Sequence, residues 1–407
     1  MRNSRFWWVL IVFMFLLDLY FFLALETVSH NASASTRLVI YAGYWTLSAT
    51  ALISMFMLPY LGSGKQARLL RTTLFAIVAG LFFAKILAAV FFLLDDARRG
   101  IQWLIGLFST PGYDHARSVF MSWAGIGAGT GLFSFLVWGF GNKYRYQVKR
   151  HKLIYPHLPA NFKGLRIVHI SDIHAGSLKN KKAVMKGVQK ILDEKPDIVL
   201  FTGDLVNNVS DEMDEYVDIF EKVKAPLGVF ATLGNHDYGD YVHWNSVEEK
   251  KQNLEKLKAI HHAMGWRLLM NESIILEKEN DRIVLMGIEN WSRLARFPKY
   301  GDLSKAYAGS ETATFRILMS HDPSHWKAEV CTKYPGIDLM LSGHTHGMQF
   351  GFEILGFRWS PVQFFYKEWA GLYESGDQKL YVNRGFGFLG YPGRVGILPE
   401  ITVLELV

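Results

Sequence analysis

Four long apolar runs fill the first third of the chain and limit what it can fold into. Residues 6–25 carry one charge, Asp18; 38–61 carry none; 72–94 carry one, Lys85; 119–140 carry none. Each is long enough to cross a hydrocarbon layer of ~30 Å as a helix. A single such run would also suit a buried core helix or a signal peptide. Four in succession on short links read instead as an all-α four-helix transmembrane domain, residues 1–145. The first run is also too long for a signal peptide, and no Ala-x-Ala-like site ends it.

The Lys and Arg residues beside the runs set an orientation. With the N-terminus inside, ten fall inside, among them Arg2, Arg5, Lys65, Arg68 and Arg71, and four fall outside, Arg37, Arg98, Arg99 and Arg117. An even number of crossings then puts the C-terminal domain in the cytoplasm of a multi-pass cell-membrane protein. Arg98 and Arg99 run against this rule but sit beside Asp95 and Asp96. Residues 101–108 are too short to span and are expected at the interface. Gly125, Gly127, Gly129 and Gly131 give two four-residue spacings that allow close helix approach. Asp18 and Lys85 need a partner or a wet path, because an ionised group at mid-bilayer costs at least ~2.5–3.5 kcal/mol. At ~1.5 Å per residue both lie ~18–20 Å along helices that run the same way, so they are expected to pair.

Composition narrows the chemistry of the rest. The single cysteine, Cys331, excludes an intramolecular disulfide and any Cys-based zinc or iron–sulfur site. Metal chemistry must therefore use the 14 histidines with Asp, Glu and Asn. Residues 141–407 carry a net charge of only +2 out of +7, which is not the footprint of a nucleic-acid-binding face, so no nucleic acid is expected as a partner.

After a basic linker, residues 146–162, the pattern turns to α/β. Runs at 165–170, 197–202 and 227–232 alternate with helical spacing at 180–193 and 211–223, which implies parallel βαβ units. Ser246-x-x-Glu249 is a capping box that opens a helix to about Met264, stopped by Gly265. Strands then dominate: 273–278, 282–288, 315–320, 337–342, 379–383 and 401–406.

The strand ends carry the polar residues: Asp172-x-His174, Gly203-Asp204, Gly234-Asn235-His236-Asp237, His321 and Gly343-His344-x-His346. All the side chains suit divalent metals, with no soft sulfur among them. In extended backbone Asp172 and His174, and likewise His344 and His346, point the same way and can converge. Alone, each pair is as easily a surface feature; five blocks in order at five strand ends point to a metal site. His169 reads as a packed strand histidine, His261 and His262 as surface residues, and His325 as a turn residue. The aromatic segment 350–369 is either core or a rim that faces a membrane.

These five blocks resemble the signature of the calcineurin-like metallophosphoesterases, across residues 163–407. The Gly343-His344-Thr345-His346-Gly347 block with Gln349, Asn383-Arg384-Gly385 and Leu398-Pro399-Glu400-Ile401 resemble the bacterial branch tethered by N-terminal helices. The resemblance implies a four-layer α-β-β-α sandwich and a binuclear site of two divalent ions, Mn, Fe or Zn. Asp172, His174 and His346 would hold one ion, Asn235, His321 and His344 the other, and Asp204 both. Such a pair activates water for in-line attack on a phosphoester. His236 would be the general acid, with Asp237 either orienting it or forming the turn. Arg384 is a candidate phosphate binder, since its fork fits phosphate oxygens. The implied function is a membrane-anchored phosphoesterase acting on phosphodiester, phosphomonoester or pyrophosphate bonds. Relatives in that family cleave lipid-linked substrates such as a UDP-diacylglucosamine, so membrane lipid is an expected partner. The competing reading is a transporter or receptor with a regulatory phosphoesterase-fold domain.

Overall fold

The computed structural model describes residues 4–61, 65–108, 116–310 and 313–407; Arg2 and the tip of the second link lie outside them. Chain contacts divide it into two units, Met1–Trp138 with Gly390–Pro392 and Gly139–Leu389 with Gly393–Val407.

The first unit holds α1 (Ser4–Ser29), α2 (Ala34–Met57), α3 (Lys65–Gly106) and α4 (Val119–Gly139). All four are long and apolar enough to cross a membrane. Ser33 caps α2, its hydroxyl accepting from the Thr36 N–H at 3.2 Å. Residues 101–106 continue α3 rather than forming a separate interfacial piece: no proline interrupts the run, and Gly100 alone does not break a helix. Of the two glycine spacings, one is used. A Cβ at Gly125 or Gly129 would meet α3 at the carbonyls of Ala88 and Ala84, whereas Gly127 and Gly131 face open space.

The second unit is built on two six-stranded sheets. The first is ordered β1-β14-β2-β3-β4-β5, with β1 at Gln147–Leu153, β2 at Arg166–Ile170, β3 at Ile198–Phe201, β4 at Val229–Ala231, β5 at Trp266–Leu268 and β14 at Glu400–Leu406. The second is ordered β12-β13-β9-β8-β7-β6, with β6 at Glu272–Lys278, β7 at Asp281–Gly287, β8 at Arg316–Met319, β9 at Leu339–Ser342, β12 at Gly371–Ser375 and β13 at Gln378–Val382. A separate hairpin pairs β10 (Phe352–Ile354) with β11 (Phe357–Trp359).

Alternation along the strands makes the layers. Ile167 and Leu200 of the first sheet meet Leu285, Ile317 and Leu341 of the second in a core between the sheets. Their neighbours Val168, Val199 and Phe201 face outward onto α5 (Lys181–Asp193) and α6 (Val247–Ala263). Met286, Leu318 and Met340 face outward from the second sheet onto Ala306, Trp326 and Val330. The result is the expected α-β-β-α sandwich. The helix expected over 211–223 is only two short turns, Ser210–Met213 and Val217–Phe220.

The segment read as a basic linker contains β1, which pairs in parallel with β14 at a sheet edge. Its charges hid it. Lys and Arg guard the edges of sheets against stray pairing, and here Lys149 reaches Glu353 at 2.5 Å and Lys152 reaches Glu405 at 3.1 Å. His261 is buried beneath Trp266, its Nδ1 hydrogen-bonded to the Leu257 carbonyl at 2.9 Å, while only His262 is exposed. Helical phase puts one histidine of the pair on the buried face of α6.

In the membrane unit, Lys85 of α3 pairs with Asp18 of α1, as their depths imply. What the sequence did not show is the part of α2. Lys85 Nζ also donates to Ser48 Oγ at 3.1 Å, and the Tyr44 hydroxyl donates to the Asp18 carbonyl at 2.7 Å. The Tyr44 ring lies 4.9 Å from the ammonium, a cation–π contact. Removing either charge leaves the other buried and unpaired, which costs ~3–5 kcal/mol. Asp18→Ala and Lys85→Ala should each lower the yield of folded protein in the membrane. Asp18→Lys with Lys85→Asp should recover part of it, read by detergent-solubilised size-exclusion profiles; a double exchange worse than both singles would refute the coupling.

Candidate metal centre

The five polar blocks meet at one place. Asp172 and His174 follow β2, Asp204 follows β3, the Asn235–Asp237 turn follows β4, His321 follows β8, and His344 and His346 follow β9. All are C-terminal ends of strands that run parallel within their own sheet, β2, β3 and β4 in the first and β8 and β9 in the second, where α/β sheets place their sites.

The local backbone differs from the extended form that the two-residue spacing implied. Asp172, His174, Asp204, His344 and His346 have φ of 54°, 48°, 60°, 70° and 50°. Left-handed backbone is unfavourable for such residues and persists only where the surroundings enforce it, chiefly at functional sites. The enforcement is visible: a Cβ on Gly343 would strike Ser171 and Asp172, and one on Gly234 would strike Asp204. Convergence thus comes from tight left-handed turns off rigid strands, not from strand alternation.

The side chains form two adjoining groups, Asp172 with His174 and His346, and Asp204 with His321 and His344. Asp172 Oδ1 lies 3.2 Å from His346 Nε2, and the His174 and His346 Nε2 atoms face each other at 3.0 Å. Asp204 Oδ2 lies 3.5 Å from His174 Nε2 and 3.2 Å from His321 Nε2, so one carboxylate oxygen serves both groups. Asn235 joins them through an orphan: its Nδ2 donates to the Tyr241 hydroxyl at 2.8 Å, while its Oδ1 is buried with no hydrogen-bond partner among the described residues. A buried acceptor without a donor, among imidazole nitrogens and carboxylates, is what an oxygen-binding divalent ion fits.

Electrostatics agree. Burial pushes the His174 pKa down to about 3 and lowers that of His344, so both imidazoles are neutral, as ligands must be. Burial opposes ionisation of Asp172 and Asp204, yet neighbouring histidines hold both carboxyls below their usual range. Burial likewise opposes a charge on His321, but the adjacent Asp204 carboxylate lifts its pKa to about 10. The buried anions demand positive charge at this spot.

Three supporting residues were not legible in the sequence. The Tyr366 hydroxyl and Asp322 lie 2.9 Å and 3.6 Å from His344 Nε2, which turns Nδ1 toward the site. The Asn207 carbonyl accepts from His236 Nδ1 at 2.7 Å. It is this carbonyl, not Asp237, that orients His236. Asp237 instead accepts the backbone N–H groups of Asp204, Leu205 and Gly234 at 2.8, 2.8 and 2.9 Å and ties the two loops together. Adjacency of Asp322 to His321 was the only available signal. His169 is packed as expected, 2.9 Å from Thr202 Oγ1, and His325 is buried between Ser320 and Glu329.

Arg384 is not brought into the site. Its guanidinium is buried against Glu353 and Glu400, which occupy the fork that phosphate would need. The cation at the cleft is Arg296, which lines the ~190 Å³ opening with Phe297, His236 and Tyr366.

Residues 165–348 match the family model described as calcineurin-like phosphoesterase, and residues 2–142 match that described as probable calcineurin-like phosphoesterase, transmembrane domain. A metallophosphoesterase of Bacillus subtilis, YkuE, described as uncharacterized, is 30% identical over 254 residues, covering 61% of this chain and 81% of that one. The chain belongs to the calcineurin-like phosphoesterases. Other members of the family share the match. A transmembrane protein with metallophosphoesterase domain from Danio rerio is 32% identical over 256 residues, 61% of this chain but only 54% of its own length. The phosphodiesterase YaeI of Escherichia coli is 28% identical over 267 residues, 64% of this chain and 88% of its own. This calcineurin-like phosphoesterase is therefore a membrane-associated hydrolase of the metallophosphoesterase class.

Proposed function

We propose that the protein hydrolyses a phosphodiester or pyrophosphate bond of a lipid-linked substrate at a binuclear centre, on the cytoplasmic side of the membrane. The observation that carries the chemistry is Asp204, whose Oδ2 faces both histidine groups beside the partnerless Asn235 Oδ1. Asp172, His174 and His346 would hold one divalent ion, Asn235, His321 and His344 the second, and Asp204 both. When bound, such a pair supplies an activated water and neutralises charge on the phosphoryl oxygens. The protein does the rest. His236 donates Nδ1–H to the Asn207 carbonyl, so it is as the doubly protonated imidazolium that its Nε2–H would pass a proton to the departing oxygen, leaving the neutral ring behind. Arg296 at the mouth supplies a fork for phosphate oxygens.

Support for the orientation comes from the outside link. Arg98 pairs with Asp95 at 2.9 Å, while Arg99 and Arg117 share Asp96 at 2.9 and 2.8 Å, so two carboxylates offset two of the four outside charges locally. Support for a lipid-linked substrate comes from the four apolar helices that keep the enzyme at a bilayer.

EDTA should abolish hydrolysis of bis-p-nitrophenyl phosphate and Mn²⁺ should restore it. Asp204→Asn should lose more activity than a variant of any ligand belonging to one group, with metal content falling in parallel. Full activity with unchanged metal in Asp204→Asn would remove the reading. Lipid and nucleotide profiling with the active protein against Asp204→Asn identifies the substrate.

His236→Ala should keep its bound metal yet lose rate by ~10²–10⁴. The loss should shrink for good leaving groups such as p-nitrophenolate; an equal loss across leaving groups would make His236 a binding residue instead. A reporter fused after Val407 should be active only as a cytoplasmic one, and alkaline phosphatase activity from that fusion would reverse the orientation.

A further inference from the structure

The β10–β11 hairpin is built inside out. Its register sets Phe352 opposite Trp359, Glu353 opposite Arg358 and Ile354 opposite Phe357. Side chains alternate across a strand, so one face carries the four apolar residues and the other carries Glu353 and Arg358. On a hairpin that meets water the charged face points out. Here it points in. Glu353 pairs with Arg384 and Lys149, and Arg358 donates to the Ala370 carbonyl and lies over the Tyr373 ring. The apolar face is left open: Ile354 and Phe357 are each 62% exposed, and Leu355 at the turn is wholly exposed.

The next segment repeats the pattern. In the turn Pro361–Phe364 and the residues after it, Val362 and Tyr366 face the cleft while Phe364 and Phe365 stand 75% and 57% exposed. The apolar rim is thus continuous in sequence with the wall of the cleft. Contiguous exposure of this kind marks an interaction surface.

We propose that this hairpin and turn dock into the surface of a lipid bilayer. Two observations favour a bilayer over a protein partner. Only residues 143–146 separate the turn that ends α4, Phe140–Asn142, from β1, a reach of at most ~14 Å, so a bilayer is always close to this unit. Arg296 lines the cleft, exposed Arg293 and Lys299 lie three positions to either side of it, and exposed Lys367 follows the cleft-lining Tyr366, whereas Glu353 of the hairpin is neutralised by its partners. Aromatic and aliphatic side chains among cations suit an anionic headgroup layer, entered to ~5–10 Å. The substrate then enters from the lipid phase. The docking rests on the lipid-linked reading above for its purpose, and its test needs no substrate.

The test uses the full-length chain in a Cys331→Ser background, reconstituted in vesicles of phosphatidylethanolamine and phosphatidylglycerol. Nitroxide labels are placed through Leu355→Cys and, separately, Phe364→Cys. Val247→Cys, 87% exposed at the start of α6, is the aqueous control. The ratio of oxygen to aqueous nickel-chelate collisions should be several-fold higher at 355 and 364 than at 247. Ratios equal to that of the control would overturn the proposal. So would exclusion of both reagents with dipolar broadening between labels, which would make a second copy of the chain the occupant. Labels that sit in lipid while no lipid-linked phosphoester is turned over would uphold the docking and remove the substrate reading.

Discussion

Two buried carboxylates dictate the catalytic unit. Asp172 and Asp204 are at most 1% exposed, and burying an ionised carboxylate costs several kcal/mol unless charge and hydrogen bonds replace water. The replacement is built from loops off neighbouring strands. The His344 N–H donates to Asp172 at 3.0 Å and the His236 N–H to Asp204 at 2.8 Å. Three imidazoles, those of His174, His321 and His346, close the remaining directions. The loops that deliver these donors are also the loops that carry the ligands, so solvating the carboxylates and assembling the centre are one event.

This arrangement requires a rigid support. Left-handed backbone at five ligand positions costs of order 1 kcal/mol or more each, and it survives because the surroundings leave no alternative. The two sheets provide that rigidity through a core of Ile, Leu, Phe and Met packed between them, with helices on both outer faces. Catalytic side chains on loops gain their precision from such a frame. The same economy of charge recurs in the membrane unit, where Asp18 and Lys85 share the interior only because α2 adds Ser48 and Tyr44.

The strands that follow a simple rule were legible. Near-continuous apolar runs ending in polar blocks marked β2, β3, β8 and β9, because strands buried on both faces carry few polar residues of their own. The edge strand β1 escaped because the residues that protect an edge read as a linker. Arg384 misled for a related reason: a guanidinium fits carboxylates as well as phosphate, and only folding brings Glu353 and Glu400 to it. The aromatic segment 350–369 is divided between a buried and an exposed part. Val362, Tyr366 and Trp369 pack with Ile397 in a small core, while Phe357, Phe364 and Phe365 stay exposed.

The amino-acid sequence by itself determined the four apolar helices, the depths of Asp18 and Lys85, and the polar blocks that meet at the candidate metal centre. These depend on length, spacing and residue type, which are local properties. Tertiary structure alone decided that Asn207 orients His236, that Tyr366 and Asp322 turn His344, and that Arg384 is structural while Arg296 lines the cleft. The hydrogen bonds and ion pairs behind those outcomes join residues 16 to 31 positions apart, and each exists only once the sheets have brought its ends within about 3 Å. The inverted hairpin lies between these cases: its alternation is written in the sequence, but which face meets the domain was settled by where Arg384 and Lys149 came to rest.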